Sequence, residues 1–324
     1  MKTKRDAMTT PPRLYTRTMP YTLARFGLAL LLTLCSGLLL VICLKQTDGL
    51  GVSLAQLIES LIQEDLGEDG PLMAVLCPWL AGTIVLRFVF MHYAGYLLKA
   101  GHIAVISEAL ATGIVPEKQM AFGQRAVRER FGATHAYLAL DRLVDGAVDQ
   151  LCKAVSKVGE TFENVPGVAA VSGVARLFLR IALGHVDECC LALTFHRQSG
   201  NAFKDAADSV VLYFQNWKSL LKNAAVATLV CCVLYCVLGL LSLIVFICLM
   251  DADETGLIAA FAGIFFFLAV KSSFIDSWVM IKMVAGFFAP AKDAEPAADL
   301  YGKLAGLSGK FKALLRRSGE GGQL

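Results

Sequence analysis

The sequence predicts an all-α integral membrane protein: four transmembrane helices plus a cytoplasmic or interfacial layer of amphipathic helices. Three observations lead there. The 324 residues are 56% hydrophobic and only 18% charged, with a mean hydropathy of +0.60, whereas soluble domains run near a quarter charged. Four long apolar runs stand in the chain with few charges inside them. The lysines and arginines collect on one alternating set of the connecting segments.

Residues 1–25 form a basic tail, with Lys2, Lys4, Arg5, Arg13, Arg17 and Arg25 against Asp6 alone. Residues 26–98 form the first transmembrane pair with an acidic external loop. Phe26–Leu44 is uncharged throughout and about long enough to cross a ~30 Å hydrocarbon core. A cleaved signal peptide is the rival reading, but the run is long for one and no A-x-A-like site follows it. Bulky Leu34 and Ile42 before Cys35 and Cys43 argue against lipoprotein processing. The segment is therefore expected to be a retained span. Between residues 45 and 70, Lys45 is the one cation against Asp48, Glu59, Glu64, Asp65, Glu68 and Asp69. The second span runs from about Leu72 to Tyr93, its apolar pattern continuing through Leu98. Arg87 and His92 near its end read as side chains that snorkel toward the interface.

Residues 99–223 read as a solvated, cytoplasmic or interfacial helical region, because Lys99–Lys222 carries 14 Lys/Arg and 12 Asp/Glu. Pro116 is expected to open a short helix that Gly132 interrupts. From Ala133 to Phe162, the residues Leu140, Val144, Ala147, Leu151, Ala154 and Val158 recur at alternating four and three, one face of a helix. Asp141, Arg142, Asp145, Asp149, Lys153 and Lys157 cover much of the rest, and fewer than three full heptads make a coiled coil weak. Asn201–Asn223 is a second amphipathic helix, with Phe203, Ala206, Val210, Phe214, Trp217 and Leu221 on one face. Tyr213 and Trp217 suit the headgroup level as interfacial anchors.

Residues 224–289 hold the second transmembrane pair. Ala224–Met250 carries no charge, the acidic turn Asp251–Glu254 follows, and Leu257–Ala289 is the last span, stopped by Pro290. Residues 290–324 are a second basic tail with an amphipathic pattern around Leu300–Leu315. The positive-inside rule orients the whole: four spans with both termini in the cytoplasm leave every basic segment inside and both acidic loops outside. The expected location is the cell's inner membrane.

The stretch Val165–Asn223 is too apolar for a cytosolic domain and too charged for an ordinary span. On a helix at ~100° per residue, Arg176, Arg180 and Asp187 fall within about 40° of one another. An unpaired charge at the bilayer centre costs about 2.5–3.5 kcal/mol on insertion scales. Either the helix lies in, or re-enters, the cytoplasmic interface with its arginines toward phosphates or water, or it is buried among spans with Arg180 and Asp187 paired or facing a polar cavity. The orientation argument favours the first. Lys271 and Asp276 stand inside the last span. As part of a continuous helix they share no close face, and Arg176, Arg180 and Asp187 are their complements in a charge network; alternatively the span ends near Phe274 and both snorkel.

Asn201–Asn223, leading through Lys222 and Asn223 into Ala224–Met250, with Asp276 in the final span, resembles the C-terminal part of choline transporter-like proteins over roughly 168–289. The chain has far fewer spans than that family and no evident aromatic cage of the kind a quaternary ammonium would need. The whole chain also resembles a bacterial family of multi-pass membrane proteins with no assigned activity. The resemblance adds modestly to a transporter-like reading.

Enzyme signatures are absent: there is no HExxH, GxSxG, P-loop or GxGxxG. The five histidines are not at metal-ligand spacings, and none of the ten cysteines forms a C-x-x-C pair. The expectation is a non-enzyme without cofactor or metal, and a net charge of +3 gives no reason to expect nucleic acid as a partner. Two functions remain. One is transport, or a channel-like conduit, for a small polar or cationic solute, as a homo-oligomer since four spans rarely enclose a pathway alone. The other is a membrane scaffold that recruits cytoplasmic partners or binds anionic lipid.

Overall fold

The computed structural model describes residues 10–62, 67, 70–131, 140, 142–151, 153, 181, 184–249 and 263–320. All regular structure among them is helical. Four helical stretches are long and apolar enough to cross a membrane: Met19–Leu44, Gly70–Thr112, Leu220–Ile244 and Gly263–Ala291. The chain forms two compact units. One comprises Met1–Thr22, Lys99–Leu234 and Ile275–Leu324, the other Leu23–Leu98 and Tyr235–Phe274.

The second, more apolar unit contains most of α2 (Met19–Leu44), a π-turn at Thr47–Gly51, α3 (Val52–Ile62), α4 (Gly70–Phe90) and a π-turn at Met91–Gly95. Polar contacts join α2 to α4 inside it. The Trp79 indole donates to the Ser36 carbonyl at 3.0 Å and the Ser36 hydroxyl to Thr83 Oγ1 at 3.3 Å. Arg87 donates to Thr33 Oγ1 at 3.0 Å and its guanidinium stands 4.8 Å from the centre of the Phe265 ring. Arg87 is thus bonded within this unit, where the sequence suggested a side chain reaching out to the interface. Phe26 packs against Phe266 and Phe274. Leu31, Leu34, Leu38, Ile84, Phe88, Leu240 and Ile247 are exposed. These side chains leave the unit with an apolar exterior, the opposite of a water-soluble surface.

The first unit is built from segments distant in sequence. The N-terminal segment is not a free tail: α1 (Pro11–Arg17), with proline at its start, buries Leu14 and packs against α10 (Asp276–Ala291). Thr18, which caps α1, and Tyr21 at the start of α2 meet α5 (Tyr96–Thr112), where His102 is hydrogen-bonded to Thr18 at 2.9 Å and stacked on Tyr21. The helix does not stop at the Lys99–Gly101 boundary expected from charge. It continues to Thr112 because no breaker intervenes before Gly113, which takes a left-handed φ of 80°. Ala100 through Ser107 are all buried. The helix expected from Pro116 begins at Gln119 and runs to Phe131 (α6). It crosses α5 at two glycines: a Cβ on Gly123 would fall 2.7 Å from the Gly101 carbonyl oxygen and closer still to the Tyr21 hydroxyl.

Of the stripe expected from Ala133 to Phe162, Leu140, Val144, Ala147 and Leu151 are buried while Arg142, Asp145, Asp149 and Lys153 are exposed. Ala154 and Val158 lie outside the described residues. Residues Val186–Arg197 (α7) and Ala202–Gln215 (α8) form a hairpin, with the Asn201 side chain capping α8 through the amides of Phe203 and Lys204. The expected single helix over residues 201–223 is broken. Asn216 ends α8, its amide and side chain bonding back to Leu212, and α9 (Trp217–Leu249) starts anew. The C-terminal segment folds as α11 (Ala298–Leu307) and α12 (Gly309–Glu320), with α12 packed on α8 and its Phe311 and Leu314 buried.

Candidate functional site

The first unit holds a layer of charges that the sequence reading only partly anticipated. Lys99 lies on α5, and its ammonium reaches Asp187 Oδ2 at 3.1 Å and Glu188 Oε1 at 2.8 Å at the start of α7. His185 Nδ1 faces the other Glu188 oxygen at 3.4 Å. Glu188 is 6% exposed. Burial would raise its carboxyl pKa, but the Lys99 ammonium and His185, together with hydrogen bonds, outweigh that and hold it well below the usual carboxylate range. The two carboxylates also sit in the first turn of α7, where the helix dipole favours negative charge. Cys189 and Cys190 follow at once, both buried. Burial first, then their negative neighbours, pushes both thiols well above the ordinary range, which keeps them protonated among the packed side chains.

Two further pairs fix the α7–α8 hairpin. Arg130 on α6 is paired with Asp205, 1% exposed, whose carboxylate also accepts the Ser199 amide at 3.1 Å. Arg197 meets Asp208 at 3.4 Å and donates to the Ala294 carbonyl. Asp208 also accepts the Tyr301 hydroxyl, whose pKa is raised by burial and by that carboxylate. Two open cavities flank this layer. One, about 540 Å³, lies among α5, α6 and α7 beside Glu108, Arg125, Glu129 and Arg130. The other, about 590 Å³, lies between the hairpin turn and α11–α12, beside Lys204, Asp208 and Tyr301.

Of the residues proposed from sequence, Asp187 is paired with Lys99, a partner not foreseen. Arg176 and Arg180 lie outside the described residues. Lys271 begins a π-turn over Lys271–Ile275 and Asp276 begins α10, so the continuous-helix spacing that separated their faces does not apply. Tyr213 is 2% exposed and packs against Phe214 and Phe287, a core position rather than a headgroup anchor, because α8 is packed against α7, α10 and α12. Trp217, 47% exposed at the start of α9, keeps the exposure an anchor needs. The sequence signal for Lys99 and Glu188 was present: a lysine just past a span, and an acid adjoining Asp187.

A second charged surface lies on α12. Phe311 and Leu314 turn inward, while Lys310, Lys312, Arg316 and Arg317 are exposed. Arg317 lies 5.7 Å from the centre of the Phe203 ring.

Among the described residues these features define an all-helical protein with four stretches suited to a bilayer, and a charged helical unit that takes in the ends of some of them. No family model, curated protein or solved structure matches the chain.

Proposed function

We propose that this is a multi-pass inner-membrane scaffold, with both termini in the cytoplasm, whose charged helical unit engages anionic lipid headgroups. The observation that carries it is the display of Lys310, Lys312, Arg316 and Arg317 on α12, which packs on α8 and buries Phe311 and Leu314. A cationic cluster beside a bilayer is drawn to a negative leaflet by about 1 kcal/mol per residue near the surface. The apolar stripe Leu140–Leu151 supports partner recruitment less, since its side chains are used inside the unit. The exposed apolar side chains of α2, α4 and α9 support bilayer insertion.

The test is reconstitution in nanodiscs with and without phosphatidylglycerol. Lipids retained on the native protein are read by mass spectrometry. The combined variant Lys310→Gln, Lys312→Gln, Arg316→Gln, Arg317→Gln is expected to lose selective retention of the anionic lipid. Equal retention by both proteins overturns the proposal.

A second reading, transport of a small polar or cationic solute by an oligomer, is supported by one observation. Two of the four apolar stretches contain π-turns, at Met91–Gly95 and Lys271–Ile275. Such turns interrupt helices frequently at functional sites. Replacing Lys271 with Met and Asp276 with Asn without loss of phenotype would count against it.

A further inference from the structure

We propose that α3 is an interfacial helix whose leucine row docks into the acyl region of the bilayer, at the membrane face opposite to both termini. This rests on the reading that α2 and α4 cross the bilayer.

The sequence showed only an acidic loop between the first two spans. In the structure, residues 52–62 of that loop are a helix, three of whose faces differ in character, with Val52 and Glu59 beside them. At ~100° per residue, Gly51, Ala55 and Ile58 share one face, and Gly51 and Ala55 are buried. Leu54, Leu57 and Leu61 form a second face, extended by Leu50 in the preceding turn. These four are 38%, 56%, 74% and 60% exposed respectively. Ser53, Gln56 and Ser60 make a third, polar and exposed. A helix wholly in water has no use for the second face, and one wholly in lipid has no use for the third. One that lies in the boundary plane uses all three, with protein beside it, acyl chains below and water above.

Position argues for lipid as the occupant. Residues 45–51, which close in the π-turn Thr47–Gly51, link the end of α2 at Leu44 to α3, so its start is tethered near the mouth of the first span. Its N-terminus is also pressed against the first turn of α4: a Cβ on Gly51 would lie 2.7 Å from the Pro71 carbonyl oxygen and 3.1 Å from Val75. Both attachments are to span ends, which holds the helix at the level where hydrocarbon begins. The chemistry of the docking surface is equally specific. Within Val52–Ile62 the one ionisable residue is Glu59, and there is no lysine or arginine. Acyl chains rather than anionic headgroups are therefore the ligand, in contrast to α12.

The full-length chain, cysteine-depleted and carrying Leu57→Cys labelled with an environment-sensitive fluorophore, is reconstituted in phosphatidylcholine vesicles. The expected result is blue-shifted emission, quenched by nitroxides on the acyl chains and unchanged when a third of the lipid is phosphatidylglycerol. Water-like emission at position 57 overturns the proposal. So does a disulfide-linked dimer through Leu57→Cys that nitroxides do not reach, which would make a second copy the occupant. The same label at Leu34→Cys, exposed on α2, separates the two readings: apolar at 34 but aqueous at 57 sinks the interfacial helix alone, and aqueous at both sinks the membrane reading as well. In the chain with its native cysteines, a benzophenone amino acid at position 57 should give lipid adducts. Adducts to protein alone, or none, overturn the proposal independently.

Discussion

Asn201 Nδ2 donates to the backbone carbonyl of Ser318 at 2.9 Å. A side chain from the α7–α8 turn is thereby bonded to the end of the last helix, although 117 residues separate them. Both must lie on one side of any bilayer. A single cysteine at the exposed Ser199 is expected to react from the same side as one placed at the exposed Lys312, in a cysteine-depleted background. Labelling from opposite sides would contradict this packing and the four-span orientation with it.

The same asparagine caps α8. Asn201→Ala removes the acceptor for the Phe203 and Lys204 amides, which typically costs about 1 kcal/mol. Asn201→Asp keeps the acceptor but loses the donor to Ser318, so it should retain most of the helix stability. Thermal unfolding in detergent is expected to rank the wild type above Asn201→Asp, and that above Asn201→Ala.

Lys99 is the shared cation of two carboxylates. Lys99→Met leaves Asp187 and Glu188 facing each other without it, and is expected to destabilise the protein by about 3 kcal/mol. Adding Asp187→Asn and Glu188→Gln should recover much of the loss. No recovery in the triple variant would mean that Lys99 acts through packing of its alkyl chain instead.

The Glu188 carboxyl is held below its ordinary value of 4.5 in the folded protein. Its ionisation therefore contributes stability that is complete above about pH 4.5 and is lost as pH falls from there through the lower folded value. The melting temperature of the wild type should fall over that acid window, and Glu188→Gln should show a shallower fall. Parallel curves for the two proteins would assign acid unfolding to other groups.

Gly123 is predicted to tolerate no side chain. Gly123→Ala drives a methyl into the Gly101 backbone, which cannot rotate away, and overpacking of this kind typically costs about 1–3 kcal/mol. Tyr21→Phe alone removes the hydroxyl, including its 3.0 Å bond to the Gln119 carbonyl. Combined with Gly123→Ala it should relieve only part of the strain. Full rescue, read by thermal unfolding, would place the clash on the tyrosine alone.

The four bilayer-suited helices were legible in the sequence because sufficiency for a membrane is a local property: about 20 successive apolar residues satisfy it whatever surrounds them. The stripe through Leu140, Val144, Ala147 and Leu151 was legible for a similar reason, since helical period and hydrophobicity are both written in a single window. Boundaries were less so. The second span read as ending near Leu98, yet its helix runs on to Thr112, where Lys99 meets Asp187 and Glu188 and Gly101 receives the crossing of α6. Tyr213 read as a headgroup residue, yet the packing of α8 on α7 and α10 puts it in the core against Phe287.

The sequence by itself determined the class of secondary structure, the four apolar helices and the amphipathic character of the segments between and after them, because each depends on the composition and period of one stretch. Only the tertiary structure decided that the N-terminal segment, the middle region and the C-terminal helices form one unit, and which charge meets which. Such pairings depend on helices far apart in the chain crossing at a given height and rotation, and neither quantity is contained in any single stretch of residues.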